Sequence, residues 1–112
     1  MNRKYIDSLS SSCIPAPPKF QTTPSDRTVL KGTNAVFTCT ATGDPNPTIT
    51  WTYEGGQLPT NSQEDTSTGT LTITSVTNDD KNEGMYTCTA TNPLKSINAT
   101  AKLTVQGKKI VL

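Results

Sequence analysis

The side chains here that could do chemistry are cysteines, carboxylates, lysines and one asparagine triplet, because the chain has no histidine. The commonest general base and the commonest transition-metal ligand are therefore missing. Of the three cysteines, Cys39 and Cys88 lie mid-strand on inward faces of distant segments. A bridge between them would close a loop worth about 4 kcal/mol in the chain-entropy model. Cys13 is the odd thiol; it suits a bridge to another chain or domain, but reads first as a thiol stranded in a polar lead. Asp79, Asp80 and Glu83 gather carboxylates as a hard cation requires, yet their spacing matches no calcium loop and reads as a solvated turn. Lys95, Lys102, Lys108 and Lys109 could attract heparan sulfate, but so spread out they read as ordinary solubility charges.

Asn98-Ala99-Thr100 is an acceptor triplet for N-glycosylation, whereas Asn46-Pro47-Thr48 is blocked by its proline. A chain so rich in serine and threonine supplies such triplets by chance, so the motif alone does not establish export. There is no glycine-rich phosphate loop and no metal-ligand spacing. No motif sets serine beside lysine or pairs two carboxylates for catalysis. The expectation is a non-enzyme, with no catalytic residue, metal or cofactor.

The elements that carry these residues follow from length and pattern. A chain of 112 residues has room for one ordinary domain with a single core. Only 31% of residues are hydrophobic and 5% aromatic, so that core is thin. Heavy use of β-branched threonine suits strands with one wet face. The net charge of +1 gives no basis for a nucleic-acid surface. No apolar run approaches the roughly 20 residues that cross a bilayer, and no direct membrane contact is expected. Met1–Pro15 holds no apolar stretch of the signal-peptide kind, so an export signal is expected outside the printed chain.

Residues 1–16 are polar and aperiodic and read as a flexible lead, 17–106 as the folded domain, and 107–112 as a tail. Within the domain, apolar residues alternate with period two. Ala35, Phe37, Cys39 and Ala41 share one face, and Ile49 and Trp51 another. Leu71 and Ile73, then Tyr86, Cys88 and Ala90, then Ala101, Leu103 and Val105 repeat the pattern. Threonines fill most of the opposite faces. Two sheets packed on their apolar faces satisfy all five segments. Gly43-Asp44-Pro45-Asn46-Pro47 reads as a break that cannot continue a central strand, and Glu54-Gly55-Gly56 as a tight turn.

The combination of Cys39, Trp51, Tyr86 and Cys88, set among Gly32, Phe37, Ala41, Gly43, Pro45, Pro47, Ile49, Leu58, Leu71, Ile73, Val76, Gly84, Ala90 and Asn92, resembles the immunoglobulin superfamily. It is most similar to the intermediate set found in cell-adhesion molecules, receptor ectodomains and giant muscle proteins. The resemblance implies an all-β, immunoglobulin-like Greek-key sandwich of two antiparallel sheets with a Cys39–Cys88 intersheet disulfide. Trp51 would pack on that bridge, and Tyr86 would tie its hydroxyl to upstream backbone. The short stretch between Trp51 and Leu71 leaves no room for the extra strands of a variable-type domain. Two positions depart from the pattern. Asn82 stands where an aspartate is usual, and Lys95 where the turn usually has glycine.

The resemblance implies a protein-binding module of a cell-surface or secreted adhesion molecule or receptor, its partner another protein or a like domain. Exposed threonines and sheet edges offer contact surface. The Gly43–Pro47 loop and the Asn92–Ser96 turn should share one end of the sandwich, and Asp44, Asn46, Pro93, Leu94 and Lys95 are the expected contacts. The alternative is a spacer in a tandem array, in which Cys39 and Cys88 would be reduced thiols.

Overall fold

The computed structural model describes residues 14–77 and 81–107. Among the described residues nine strands form two layers: β1 (Ala16–Thr22), β2 (Arg27–Leu30), β3 (Ala35–Thr38), β4 (Thr40–Asp44), β5 (Thr48–Tyr53), β6 (Ser62–Asp65), β7 (Thr70–Ile73), β8 (Gly84–Asn92) and β9 (Lys95–Gln106). One layer is the sheet β2-β9-β8-β5. The other joins the ladder β3-β7-β6 to the pair β1-β4, because β3 and β4 are separated only by Cys39. The pairings are antiparallel except that of β2 with β9, which is parallel. The chain therefore changes layers between Thr22 and Arg27, where Pro24 interrupts it.

Each alternating segment buries its expected face, except that Ala41 at the end of the first is only half-buried. Ala35, Phe37, Cys39, Ile49, Trp51, Leu71, Ile73, Tyr86, Cys88, Ala90, Ala101, Leu103 and Val105 are all buried, and Val76 joins them from a loop. Cys39 and Cys88 form the disulfide across the layers, with Cα atoms 6.5 Å apart. Trp51 is register partner to Cys88. Phe37 lies with its ring centroid 5.4 Å from Tyr86 and 6.1 Å from Trp51. The Trp51 indole N–H is buried without a hydrogen-bond partner.

The corner before β8 accounts for the unusual Asn82. The Tyr86 hydroxyl donates to the Asn82 carbonyl at 2.7 Å. The fully buried Asn82 Oδ1 accepts from Thr77 N, Thr77 Oγ1 and Asn61 Nδ2. Its Nδ2 donates to Asn61 Oδ1 and the Lys81 carbonyl. A carboxylate could accept those three bonds but not make the two donations. Asparagine here is matched to Asn61.

Burial pushes the Tyr86 phenol well above its usual range, and the neighbouring Tyr53 and Glu54 push the same way. A raised folded-state value means that its contribution is intact below the unfolded pKa, about 10, and is lost as pH rises beyond it. Tyr86→Phe is expected to cost about 1–2 kcal/mol at neutral pH through the lost hydrogen bond. Its stability should then fall less than the parent's between about pH 9 and 11, since the phenol no longer ionises on unfolding. Urea melts across that range check both points, and equal alkaline slopes would remove Tyr86 from the explanation.

Candidate functional site: the loop cluster at one end of the sandwich

Strand β4 runs further than the sequence suggests. Gly43 and Asp44 do not break it but complete it, with Asp44 register partner to Ala16. The neighbouring β1 supplies the hydrogen-bond partners that local turn propensity cannot foresee. The following Asp44–Pro45 peptide is cis.

Asn92, at the end of β8, holds this end together. Its side chain is buried, and Nδ2 donates to the Ala16 carbonyl at 2.8 Å and the Pro45 carbonyl at 3.1 Å. Its Oδ1 accepts from Leu94 N at 3.0 Å and Lys95 N at 3.3 Å. One side chain thus ties the incoming β1, the β4–β5 loop and the β8–β9 turn into a unit. Gly43 makes room for it, since a Cβ there would lie 3.2 Å from both the Ala16 carbonyl and Asn92 Nδ2.

The turn also explains Lys95. Neither Leu94 nor Lys95 adopts positive φ, so no glycine is needed. Asn92 Oδ1 closes the two-residue turn instead. Asn92→Ala is expected to lose about 2–4 kcal/mol, from several bonds of about 1 kcal/mol and backbone groups left unpaired. Urea denaturation gives the loss, and amide exchange at Leu94 and Lys95 should quicken. A loss near zero would mean that water replaces the side chain.

The structure brings the two expected loops together. Asp44 is half-buried, Asn46, Pro93 and Lys95 are exposed, and the Leu94 side chain is 51% exposed beside the turn. Asn92 was legible only as part of a family pattern, and a lone buried asparagine has no spacing signal of its own.

The other candidates separate. Glu83 Oε2 accepts from Val105 N at 2.8 Å, so this carboxylate serves the backbone of β9. Asp79, Asp80, Lys108, Lys109 and Cys13 lie outside the described residues. Lys95 and Lys102 stand seven positions apart on β9, about 24 Å at a strand's rise, and form no local cluster. Asn98 is exposed on β9, and its Oδ1 accepts from Thr89 Oγ1 at 3.1 Å. No described helix is long and apolar enough to cross a membrane.

Two further surfaces bear on partner binding. On β5, Glu64 Oε2 accepts from Trp51 N at 2.9 Å and the Gly56 carbonyl accepts from Tyr53 N at 3.2 Å. These bonds occupy donors that an added strand would use. A groove of about 760 Å³ lies at the other end, lined by Tyr53, Leu58, Pro59, Asn61, Thr74 and Lys81. Part of its lining is the Asn61–Asn82 pair, already satisfied internally, and it does not meet the loop cluster.

Known proteins share this fold. The family model described as immunoglobulin domain matches residues 17–92. Human "Peroxidasin homolog" is 40% identical over 107 residues, covering 92% of this chain and 7% of that protein. Zebrafish "Receptor-type tyrosine-protein phosphatase F" is 38% identical over 92 residues, covering 79% of this chain and 5% of that one. The chain therefore spans a small fraction of these relatives. A solved structure, "Chimeric titin Z1Z2 functionalized with a KLER exogenous peptide from decorin", superimposes with a TM-score of 0.76 at 32% identity, covering 85% of this chain and 99% of that one. With the disulfide, the buried Trp51 and the tied Tyr86 in place, the chain belongs to the immunoglobulin domain family.

Proposed function

We propose that this domain is a non-catalytic protein-binding module of an exported adhesion molecule or receptor, and that it contacts its partner through the Asp44–Pro47 loop and the Pro93–Lys95 turn. The observation that carries the reading is the Asn92 tie. It fixes two loops from opposite sides of the chain at one end and leaves Leu94 outside. A surface held this way loses little conformational entropy on binding. An exposed leucine on a turn tied to the loop that carries Asp44 and Asn46 supplies the apolar centre and polar neighbours of a contact patch. The receptor-type phosphatase among its relatives supports export. The phosphatase activity that the receptor-type relative's name states is not assigned to this segment.

Against a partner identified with the intact domain, Leu94→Asp should weaken binding at least about tenfold, or 1.4 kcal/mol. Its urea midpoint should stay close to the parent's, because the side chain is exposed. Unchanged affinity would reject the contact set.

The titin likeness favours one second reading, a spacer in a tandem array. In that setting the Asn92 tie would stiffen the domain's end, and the cysteines would be reduced in the cytosol.

A further inference from the structure

Strand β9 is longer than the strand that flanks it. β2 pairs with β9 only over Leu103–Gln106, so from Lys95 to Lys102 no strand pairs with its outer edge among the described residues. The side that faces outward follows from the ladder. Lys102 N donates outward to Asp26 Oδ1 at 2.8 Å, and period two puts the amides of Ser96, Asn98 and Thr100 on that same side. Three consecutive outward donors and their carbonyls thus have no strand partner among the described residues, although β1 runs close beside β9. An open edge of this kind is a template for association and is normally blunted by charge, proline, a bulge or a cover. Between Ser96 and Ala101 the chain has no charged residue and no proline. The register of β8 with β9 runs unbroken across it, so no bulge bends it away.

The middle of this edge holds the chain's acceptor triplet. Asn98 and Thr100 are both exposed and project from the same face of β9. Thr89 Oγ1 occupies Asn98 Oδ1, and the exposed side chain's Nδ2 has no hydrogen-bond partner among the described residues. Thr50 and Thr89 share the row of Asn98 through the ladder, so the neighbouring side chains are small and neutral and leave space.

We infer that Asn98 carries an N-linked oligosaccharide that covers the unpaired edge of β9. The step is a glycosyl transfer from a lipid-linked oligosaccharide diphosphate. Nδ2 forms a bond to the anomeric carbon and gives up one proton, while the bond from that carbon to the diphosphate oxygen breaks and the lipid diphosphate departs. The inference rests on the reading that the chain is exported, but its test does not depend on the loop cluster. A bulky, neutral, hydrated cover at this point keeps a second strand off the edge without closing the end where Leu94 stands.

The test uses the full chain secreted from animal cells behind a leader peptide. Intact mass should lie above that of the polypeptide and collapse on digestion with a peptide N-glycosidase. Thr100→Ala should abolish the added mass, and Thr100→Ser should retain it, because serine keeps the acceptor triplet. A secreted parent chain with the bare polypeptide mass overturns the assignment. For the cover, untrimmed protein is compared in two ways with protein trimmed by an endoglycosidase that leaves the first sugar on Asn98, since a peptide N-glycosidase would leave aspartate there and put a charge on the edge. Amides at Asn98 and Thr100 should exchange at least about threefold faster after trimming, since an uncovered edge is open to solvent. Sedimentation should show a dimer fraction that grows with concentration only in the trimmed sample. A glycan whose removal changes neither exchange nor association would overturn the edge-covering role. Loss of Leu94-dependent binding alone would leave both results standing, so the two proposals fail separately.

Discussion

Reducing the Cys39–Cys88 bridge in the otherwise unchanged domain is expected to lower its stability by about 4 kcal/mol. The bridge spans 49 residues and joins β8 to the Cys39 position between β3 and β4. Breaking it returns that loop entropy to the unfolded chain while the packing of the folded state stays nearly as it was. The effect is large because the rest of the core is modest. Only 31% of the chain is hydrophobic, and several buried positions on the meeting faces are alanine. A domain of this size has about 5–15 kcal/mol in all, so the loss is a substantial share. Urea denaturation with and without a phosphine reductant measures it. A change below about 1 kcal/mol would mean that the unfolded chain is compact enough to make the constraint nearly redundant.

Gly69→Ala should be nearly as damaging, for a steric reason. Gly69 has φ of +73°, and a Cβ there would sit 1.8 Å from the Cys39 carbonyl oxygen. That oxygen is backbone, and it cannot swing away as a side chain would. The same junction carries the Cys39 N–H donation to the Gly69 carbonyl at 2.9 Å, so moving either strand disturbs the disulfide's own segment. The left-handed penalty of about 1–2 kcal/mol and forced overpacking of about 1–3 kcal/mol together predict a loss of about 3 kcal/mol or more. Gly55 is the control. Its φ is +78°, yet a Cβ there meets nothing within 4 Å. Gly55→Ala should therefore lose only the conformational part, about 1–2 kcal/mol. Equal losses at the two positions would show that the close approach at Cys39 is relieved by a small shift.

The inward faces of β3, β5, β7, β8 and β9 were readable because alternation in sequence is alternation in space. That is why Phe37, Trp51, Leu71, Tyr86 and Cys88 all lie where their pattern puts them. Strand β6 was not readable. Ser62-Gln63-Glu64-Asp65 has no apolar residue, and its strand identity comes from pairing with β7, a tertiary fact. The end of β4 was misread for the same reason, since Gly43 and Asp44 carry turn signals that β1 overrides. The parallel β2–β9 pair was also hidden, because a four-residue strand with three exposed positions leaves no period to detect.

At the loop cluster, the shared location of the two turns came from the family pattern. The agent that joins them, the bifunctional Asn92 side chain, required coordinates. Glu64 is similar, an ordinary polar residue by sequence that turns out to plug the edge of β5.

The thiol state of Cys39 and Cys88 in the protein's native compartment tests the central claim, that this domain acts as an exported binding module, most directly. Intact mass is measured with and without an alkylating reagent under non-reducing conditions, after denaturation to expose buried groups. An exported module gives a mass two hydrogen atoms below the reduced chain and no alkylation at either cysteine. Alkylation at both would contradict the claim, place the domain in a reducing setting and make the tandem spacer the correct reading.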